Sequence, residues 1–262
     1  MTEPSLQNRV AVVTGGSSGI GRATACLLAR HGARVFVGDY DPDETGRDEF
    51  ERLGVTQVRA DVRVEHDVRA LIDEAASAGG GLDILVNNAG VGLVKQITDV
   101  SEDEWDRVLD TNLKGAFLCS KHAIRHMRER GGGGSIVNTA SNAGLLPRAH
   151  DPVYSISKGA LVAMTKSLAL CHAVDRIRVN AVCPGPVEAT RMMEADLAVA
   201  DDREAAARSF IEASPLARAL GRFIRPDEVA AAVLYLVSDA AAMVTGTCIG
   251  IDGGKSLGVP PR

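Results

Sequence analysis

The chain has 262 residues, 45% of them hydrophobic and 24% charged, with a formal net charge of −5. That length can fill one sizeable α/β core, and two smaller domains stay open on length alone. The mild acidity gives no electrostatic reason to expect nucleic acid or an anionic membrane as partner, so small-molecule chemistry fits better.

The N-terminal segment carries no basic stretch followed by an apolar run, and nowhere do about 18 apolar residues follow one another, so a cytoplasmic location is expected. Apolar, strand-like runs then recur at Val10 to Thr14, Arg34 to Gly38, Gln57 to Ala60, Ile84 to Asn87, Ile136 to Asn138, Arg178 to Val182 and Thr247 to Ile251. Helical patterning separates most of them, at Arg22 to His31, Val68 to Ala78, Glu104 to Arg130, Ser155 to Ala173 and Pro226 to Ser238. Short apolar strands alternating with helices predict a doubly wound α/β domain, its parallel sheet covered on both faces. The glycine runs from Gly79 and from Gly131 fall where a helix should end and a strand begin, and read as turns. No linker divides the chain, so residues 1–262 read as one domain. The segment from Glu188 to Leu220 reads as a helical insertion that would overhang the carboxyl ends of the strands, where ligands bind in open sheets. Cys26, Cys119, Cys171, Cys183 and Cys248 form no CxxC pair, which points to reduced thiols and to neither disulfides nor a thiolate zinc site.

The first strand runs into Thr14-Gly15-Gly16-Ser17-Ser18-Gly19-Ile20-Gly21 and then a helix. Glycines there let backbone approach a pyrophosphate, and the helix N-terminus favours the anion. An ordinary tight turn is the competing reading, weakened by the position directly after a strand. Asp39 closes the second strand about 20 residues later, where an acidic residue hydrogen-bonds the adenosine ribose and would repel the extra phosphate of NADP. Asp39 could instead start the turn into Pro42, but its position on the second strand favours the NAD reading.

Tyr154 and Lys158 lie at i and i+4, on one helix face, with Ser141 upstream. A nearby ammonium favours phenolate, so the spacing predicts a tyrosine pKa lowered by Lys158 and a phenol usable as general acid and base. Taken alone, the pair could be a snorkelling pair on a solvated helix. A phenol, an ammonium and a hydroxyl converging on one oxygen would protonate an alkoxide while hydride reaches the carbon, which predicts redox chemistry on an alcohol or ketone.

With these residues in place, the chain from about Arg9 to Gly254 resembles the classical short-chain dehydrogenase/reductase family. The TGxxxGxG turn, Asn87-Asn88-Ala89-Gly90, Asn112, Ser141, the YxxxK at Tyr154 to Lys158, Pro184-Gly185 and Asp252-Gly253-Gly254 match it in order. The resemblance implies a single Rossmann-type domain with a seven-stranded parallel sheet, and NAD(P) across its carboxyl edge. It implies catalytic roles for Asn112, Ser141, Tyr154 and Lys158: Ser141 polarises the substrate oxygen, Tyr154 transfers the proton, Lys158 lowers the tyrosine pKa and holds the nicotinamide ribose, and Asn112 holds a relay water. Cofactor contacts are implied for Gly15, Ser17, Ser18, Gly19, Ile20, Gly21, Asp39, Asp61, Val62, Asn88, Ala89 and Gly90. Tyr154, Lys158, Pro184, Gly185 and Val187 complete that set. Many members carry a threonine four residues after the Pro-Gly glycine; here Ala189 stands there and Thr190 follows, so either the loop shifts by one residue or the contact is absent. The expected activity is an NAD-dependent oxidoreductase interconverting a secondary alcohol and a ketone, without metal, as a homodimer or homotetramer. The alternatives are an NADPH-dependent reductase of 3-oxoacyl or other ketones, and a catalytically idle NAD-binding sensor or scaffold.

Other candidates carry weaker signals. His122 and His126 have metal-ligand spacing, but no third ligand accompanies them and Lys121 and Arg125 would repel a cation, so they read as surface histidines. His150 either touches substrate or sits in a solvated loop. Met192, Met193 and Phe210 form either an apolar lid or a packing face. Arg148 and Arg191 either bind a carboxylate or pair with Asp151, Glu188 and Glu194. Asn138 reads as a tie at the sheet edge.

Overall fold

The computed structural model describes residues 5–42, 46–146 and 148–258; residues 1–4 and 259–262 of the expected domain span lie outside these. Among the described residues the strands are β1 (Val10–Thr14), β2 (Arg34–Asp39), β3 (Thr56–Arg59), β4 (Ile84–Asn87), β5 (Gly134–Thr139), β6 (Ile177–Pro184) and β7 (Cys248–Ile251). The helices are α1 (Gly19–Arg30), α2 (Arg47–Leu53), α3 (Glu65–Gly79), α4 (Glu102–Leu109), α5 (Gly115–Arg130) and α6 (Pro152–His172). They continue with α7 (Arg191–Ala198), α8 (Arg203–Glu212), α9 (Pro215–Leu220) and α10 (Pro226–Val237).

The strands form one seven-stranded sheet in the order β3-β2-β1-β4-β5-β6-β7, and every neighbouring pair is parallel. From β1 the chain moves outward to β3 and then returns to β4 on the other side of β1. At that reversal the connections leave in opposite directions, and a crevice opens at the carboxyl ends of β1 and β4.

Alternation along β1 feeds two cores. Ala11 and Val13 pack with Ala25 and Leu28 of α1 and Val229 and Val233 of α10. Val10 and Val12 pack on the other face with Leu71 and Ile72 of α3 and Leu118 and Met127 of α5. Each such aliphatic side chain, fully buried, contributes about 1.5–3 kcal/mol. A one-residue slip of β1 would exchange the two faces, which fixes the register and therefore the place where its C-terminal turn emerges.

At the opposite edge of the sheet, Asp83 joins three segments. Its carboxylate accepts from the Val10 N–H at 2.8 Å, from Arg9 at 3.2 Å and from Arg130 at 2.7 Å. Burial alone would push this carboxyl up, but Arg130, the Val10 amide and Arg9 outweigh it and hold it below the usual carboxylate range.

Three local features differ from the sequence reading. The helix expected over Glu104 to Arg130 is interrupted by a π-turn at Asp110–Lys114, which adds one residue to the turn and leaves the hydrophobic rhythm on either side almost unaltered. Helix α2 was not foreseen; only Phe50 in it is buried, too little for an apolar period. Asn138 is fully buried within β5, where it accepts from Asn87 Nδ2 at 2.8 Å and donates to Thr165 Oγ1 at 2.8 Å. It therefore ties β4, β5 and α6 together in the interior, away from the sheet edge.

Candidate active site

β1 leads directly into the glycine turn. Gly15 takes φ +61° and donates its N–H to the Gly38 carbonyl at 2.7 Å, which locks the turn against β2. A Cβ on Gly21 would stand 2.2 Å from the Gly15 oxygen, so only glycine allows α1 to begin this close to the turn. Asn88, just past β4, donates its side-chain amide to the carbonyls of Thr14 (3.1 Å) and Gly15 (2.9 Å). The main-chain N–H groups of Asn88 and Ala89 reach Thr14 Oγ1 at 3.1 and 3.2 Å. The first βα turn is thus held rigid at the crevice that the topology creates.

Asp39 ends β2 beside it. One carboxylate oxygen accepts from the Ser17 N–H at 3.1 Å and the other from the Asp41 N–H at 3.2 Å. The second bond makes Asp39 a turn residue, and its carboxylate still lines the cleft. Each oxygen keeps a lone pair for a further donor.

A cavity of about 600 Å³ extends from this turn to the catalytic candidates. Gly15, Ser18, Gly19, Ile20, Asp39, Asp61, Val62, Asn88, Ala89 and Gly90 line it, as do Ser141, Tyr154, Lys158, Pro184, Gly185 and Val187. Ser17, Gly21 and Asn112 do not: the first two support the turn from behind, and Asn112 is buried behind Lys158 and Gly90. The Asp61 carboxylate is engaged by Arg63, whose Nε reaches Oδ1 at 2.9 Å and whose Nη2 reaches Oδ2 at 2.6 Å. Those hydrogen bonds, against a smaller effect of burial, hold the Asp61 carboxyl below its ordinary range.

Ser141 follows β5; its Oγ accepts from the Ala143 N–H at 3.1 Å and donates to Asn142 Oδ1 at 3.3 Å, and the residue lines the cavity beside Tyr154. Lys158 is 3% exposed; its Nζ donates to the Thr139 carbonyl at 2.8 Å and lies 5.8 Å from the Tyr154 ring centre. Burial pushes the Lys158 ammonium down to about 8. The expectation of a lowered tyrosine pKa requires correction: burial raises the Tyr154 phenol above its usual value, while Ser141 and Arg148 oppose the rise. The i, i+4 spacing correctly predicts the proximity of the two groups. What it lacks is the desolvation that both undergo, which disfavours phenolate and ammonium alike.

Asn112 sits in the π-turn. Its Oδ1 accepts from the Val91 N–H at 2.8 Å, and its Nδ2 donates to the Val91 carbonyl at 2.9 Å and to Ser157 Oγ at 3.0 Å. The side-chain amide is therefore a brace between the strand β4 loop and α6, one residue before Lys158.

The segment after Pro184-Gly185 has an unusual backbone. Ala189 adopts φ +51°, a left-handed conformation that side chains resist, and so Thr190 is carried to the cavity wall. There Thr190 Oγ1 caps α7 by accepting from the Met193 N–H at 3.2 Å, and its methyl lies where a Cβ on Gly19 would meet it at 3.1 Å. Thr190 lines the cavity and Ala189 does not. Beyond Thr190, Met192 and Met193 of α7 and Phe210 of α8 line the cavity. Arg191 reaches from α7 to the Asp41 carbonyl at 3.3 Å and bridges the mouth beside Asp39.

Arg148 forms an ion pair with the buried Asp151, and its guanidinium carbon lies 5.3 Å from the Tyr154 ring centre. No spacing rule indicates that contact, because Arg148 and Tyr154 meet through the turn that opens α6. Asp196, Arg107 and Thr111 also line the cavity and carried no signal in the sequence. His150 is exposed and does not line it. His122 is 6% exposed and bonded to Glu65 at 3.0 Å, which corrects its reading as a surface histidine; His126 pairs with Asp73 at 2.7 Å. Among the described residues no group of three or more His, Cys, Asp or Glu could hold a metal ion, and no helix is long and apolar enough to cross a membrane.

A rigid glycine turn at the switch point of a parallel sheet, a carboxylate at the end of β2 and a buried phenol, ammonium and hydroxyl in the same cavity define a nicotinamide-dinucleotide-dependent oxidoreductase. Comparison with known proteins agrees. Residues 15–256 match a family profile described as enoyl-(acyl carrier protein) reductase. The chain is 42% identical over 256 residues to cis-4-hydroxycyclohexanecarboxylate dehydrogenase of Sinomonas cyclohexanicum, covering 95% of this chain and 97% of that protein. It is 41% identical over 261 residues to a 4-formylbenzenesulfonate dehydrogenase of Comamonas testosteroni, covering 97% and 100%. The solved structure of Thermoplasma acidophilum aldohexose dehydrogenase superposes with a TM-score of 0.87 at 35% identity, covering 98% and 97%. The chain belongs to the classical short-chain dehydrogenase/reductase family.

Proposed function

We propose that this protein interconverts a secondary alcohol and a ketone with NAD as cofactor, and that Tyr154 moves the proton. The carrying observation is that Ser141, Tyr154 and Lys158 line one cavity together with the glycine turn and Asp39, with Lys158 Nζ 5.8 Å from the Tyr154 ring centre.

The residues present fit the cofactor. The floor at Gly90 is bare backbone, since a Cβ there would come within 3.3 Å of Asn112 Oδ1 and 3.4 Å of Lys158 Nζ. Thr139 lines the cavity with a buried, unpartnered hydroxyl. Residues 15–21 with 88–90 would hold the pyrophosphate side, Asp39, Asp61 and Val62 the adenosine, and Lys158, Pro184, Gly185, Val187 and Thr190 the nicotinamide half. When bound, the dinucleotide supplies the acceptor or donor of hydride. Its preference for NAD rests on Asp39, whose carboxylate would accept from ribose hydroxyls and repel a phosphate.

For oxidation, ionised Tyr154 removes the substrate hydroxyl proton while Ser141 donates a hydrogen bond to the same oxygen. For reduction, neutral Tyr154 returns the proton to that oxygen. Lys158 supplies the adjacent positive charge and a proton store. A relay through Asn112 would use its main-chain carbonyl, because its side-chain amide is already occupied. Much of the rate enhancement would come from holding these groups in place before the substrate arrives.

The apolar wall of Met192, Met193 and Phe210, with two relatives named for six-membered-ring substrates, supports a cyclic secondary alcohol. Unpaired thiols at all five cysteines fit the reducing cytoplasm. Exposed Phe117, Ile156 and Leu170 on α5 and α6 support a homodimer or homotetramer.

The test is NAD and NADP reduction across a panel of cyclic and acyclic secondary alcohols. Turnover with NAD that falls at least about a thousandfold in Tyr154→Phe, with NAD binding retained, is expected. Full activity in that variant, or tight NAD binding without turnover on any alcohol, would sink the reading.

A further inference from the structure

Two cations flank the buried phenol. Lys158 is turned toward the Thr139 carbonyl, whereas the Arg148 guanidinium carbon lies 5.3 Å from the ring centre, slightly closer than the 5.8 Å of Lys158 Nζ. Arg148 is also held there. It pairs with Asp151, which is 2% exposed, its main-chain N–H donates to Ser155 Oγ at 3.3 Å, and Ser155 Oγ in turn bonds Asp151 Oδ1 at 3.3 Å. Asp151 is the residue that opens α6, the helix carrying Tyr154, so guanidinium and phenol are mounted on one rigid unit.

We propose that Arg148, anchored by Asp151, is a positioning residue that sets the ionisation of Tyr154 and shares that task with Lys158. The inference rests on Tyr154 being the proton-transfer group. An arginine suits this place because it stays charged when largely buried, whereas the neighbouring lysine loses its proton more readily there. A guanidinium over an aromatic face also attracts the ring and gains further when the ring oxygen carries charge.

The charged surroundings fix the sign. Facing the phenol are Ser141 from the segment after β5, Arg148 and Asp151 from the turn into α6, Lys158 from α6 itself and Asp196 from α7. Lys255, near β7, faces Arg148 and Asp151; exposed His150 faces Asp151 and Asp196; Cys183 on β6 faces Lys158. Asp151 and Asp196 both disfavour phenolate, and Arg148 opposes them. Removing Arg148 therefore withdraws one attraction and leaves two carboxylates facing the phenol without it.

The experiment titrates Tyr154 directly, without cofactor or substrate. In a Tyr40→Phe, Tyr235→Phe background Tyr154 is the sole tyrosine, since the chain has three. Phenolate absorbance is read immediately after a pH jump, before alkaline unfolding. With Arg148→Gln the midpoint is expected to rise by about one pH unit or more, the size usual for a charge at this distance. Arg148→Lys should restore part of the shift. Arg148→Gln with Asp151→Asn should shift less than Arg148→Gln alone, because the stranded carboxylate is gone. On an accepted alcohol, the alkaline rise of kcat/KM should move with the titration, giving about tenfold slower oxidation per unit below the midpoint. An unchanged midpoint in folded Arg148→Gln, or in the double variant and Arg148→Lys should Arg148→Gln not fold, overturns the proposal. A shifted midpoint with no alcohol oxidised would leave this inference standing and remove the proposed function instead.

Discussion

Replacing Lys158 by methionine should stabilise the protein while abolishing its activity. The amine is buried and its pKa falls from the ordinary 10.5 to about 8. At about 1.36 kcal/mol per unit, keeping the ammonium in that environment costs the folded state about 3 kcal/mol wherever the amine is protonated in both states. Methionine has a similar length and no charge, but it forfeits the hydrogen bond to the Thr139 carbonyl, worth about 1–2 kcal/mol once the acceptor is left without a donor. The balance is a gain of about 1–2 kcal/mol near neutral pH, or several degrees in Tm. The sign follows from proton counting. Between about 8 and 10.5 the unfolded chain binds more protons than the folded one, so wild-type stability rises with pH across that window and the advantage of the variant shrinks. Denaturant unfolding of the cofactor-free proteins at about pH 7 and about pH 10, at matched protein concentration, measures both terms. A variant less stable than wild type at the lower pH, or a difference that stays constant as pH rises, would refute the reasoning.

Asp39→Asn should shift preference toward NADP, raising its kcat/KM relative to NAD by about tenfold or more, because two like charges a few ångströms apart repel by about 1–4 kcal/mol in a partly solvated site. Arg59 and Arg63, 5.8 and 5.5 Å from the Tyr40 ring next door, would then meet the phosphate without the carboxylate; an unchanged ratio would show that Asp39 does not govern the choice. Asp83→Asn should destabilise the fold by about 3 kcal/mol, since Arg130 would keep its place with no negative partner. The Asp83 carboxyl sits below its usual 3.8, so its contribution is present above that value and lost as pH falls through the lower folded one; urea titrations should show wild type and variant converging in acid.

The readable part of the site lay in short-range pattern. The glycine turn, Tyr154 with Lys158, and Asp39 at the end of β2 all act within a few residues of a strand or helix end, and there the chain itself sets the geometry. Strand positions were equally legible, because β1 and β4 are buried throughout and read as unbroken apolar runs. Features set by the assembled fold were not. The phenol rises in pKa because of what surrounds it, His122 is buried by the α3 side of its helix, and Arg148 meets Tyr154 only once α6 has formed. The resemblance marked Ala189 as irregular, but its backbone was not legible, since a left-handed alanine has no sequence signature.

The π-turn at Asp110–Lys114 changes the phase between α4 and α5 without breaking the rod. An α-helix advances about 100° per residue, so one extra residue in a turn lets the two halves point their apolar stripes in independently chosen directions. Deleting a single residue there would restore regular hydrogen bonding and be locally favourable, yet it would turn Asn112 out of its socket or swing Leu118 and Met127 off the sheet. The surplus residue acts as a key between two interlocked cylinders, and that segment tolerates substitution far better than a change in length.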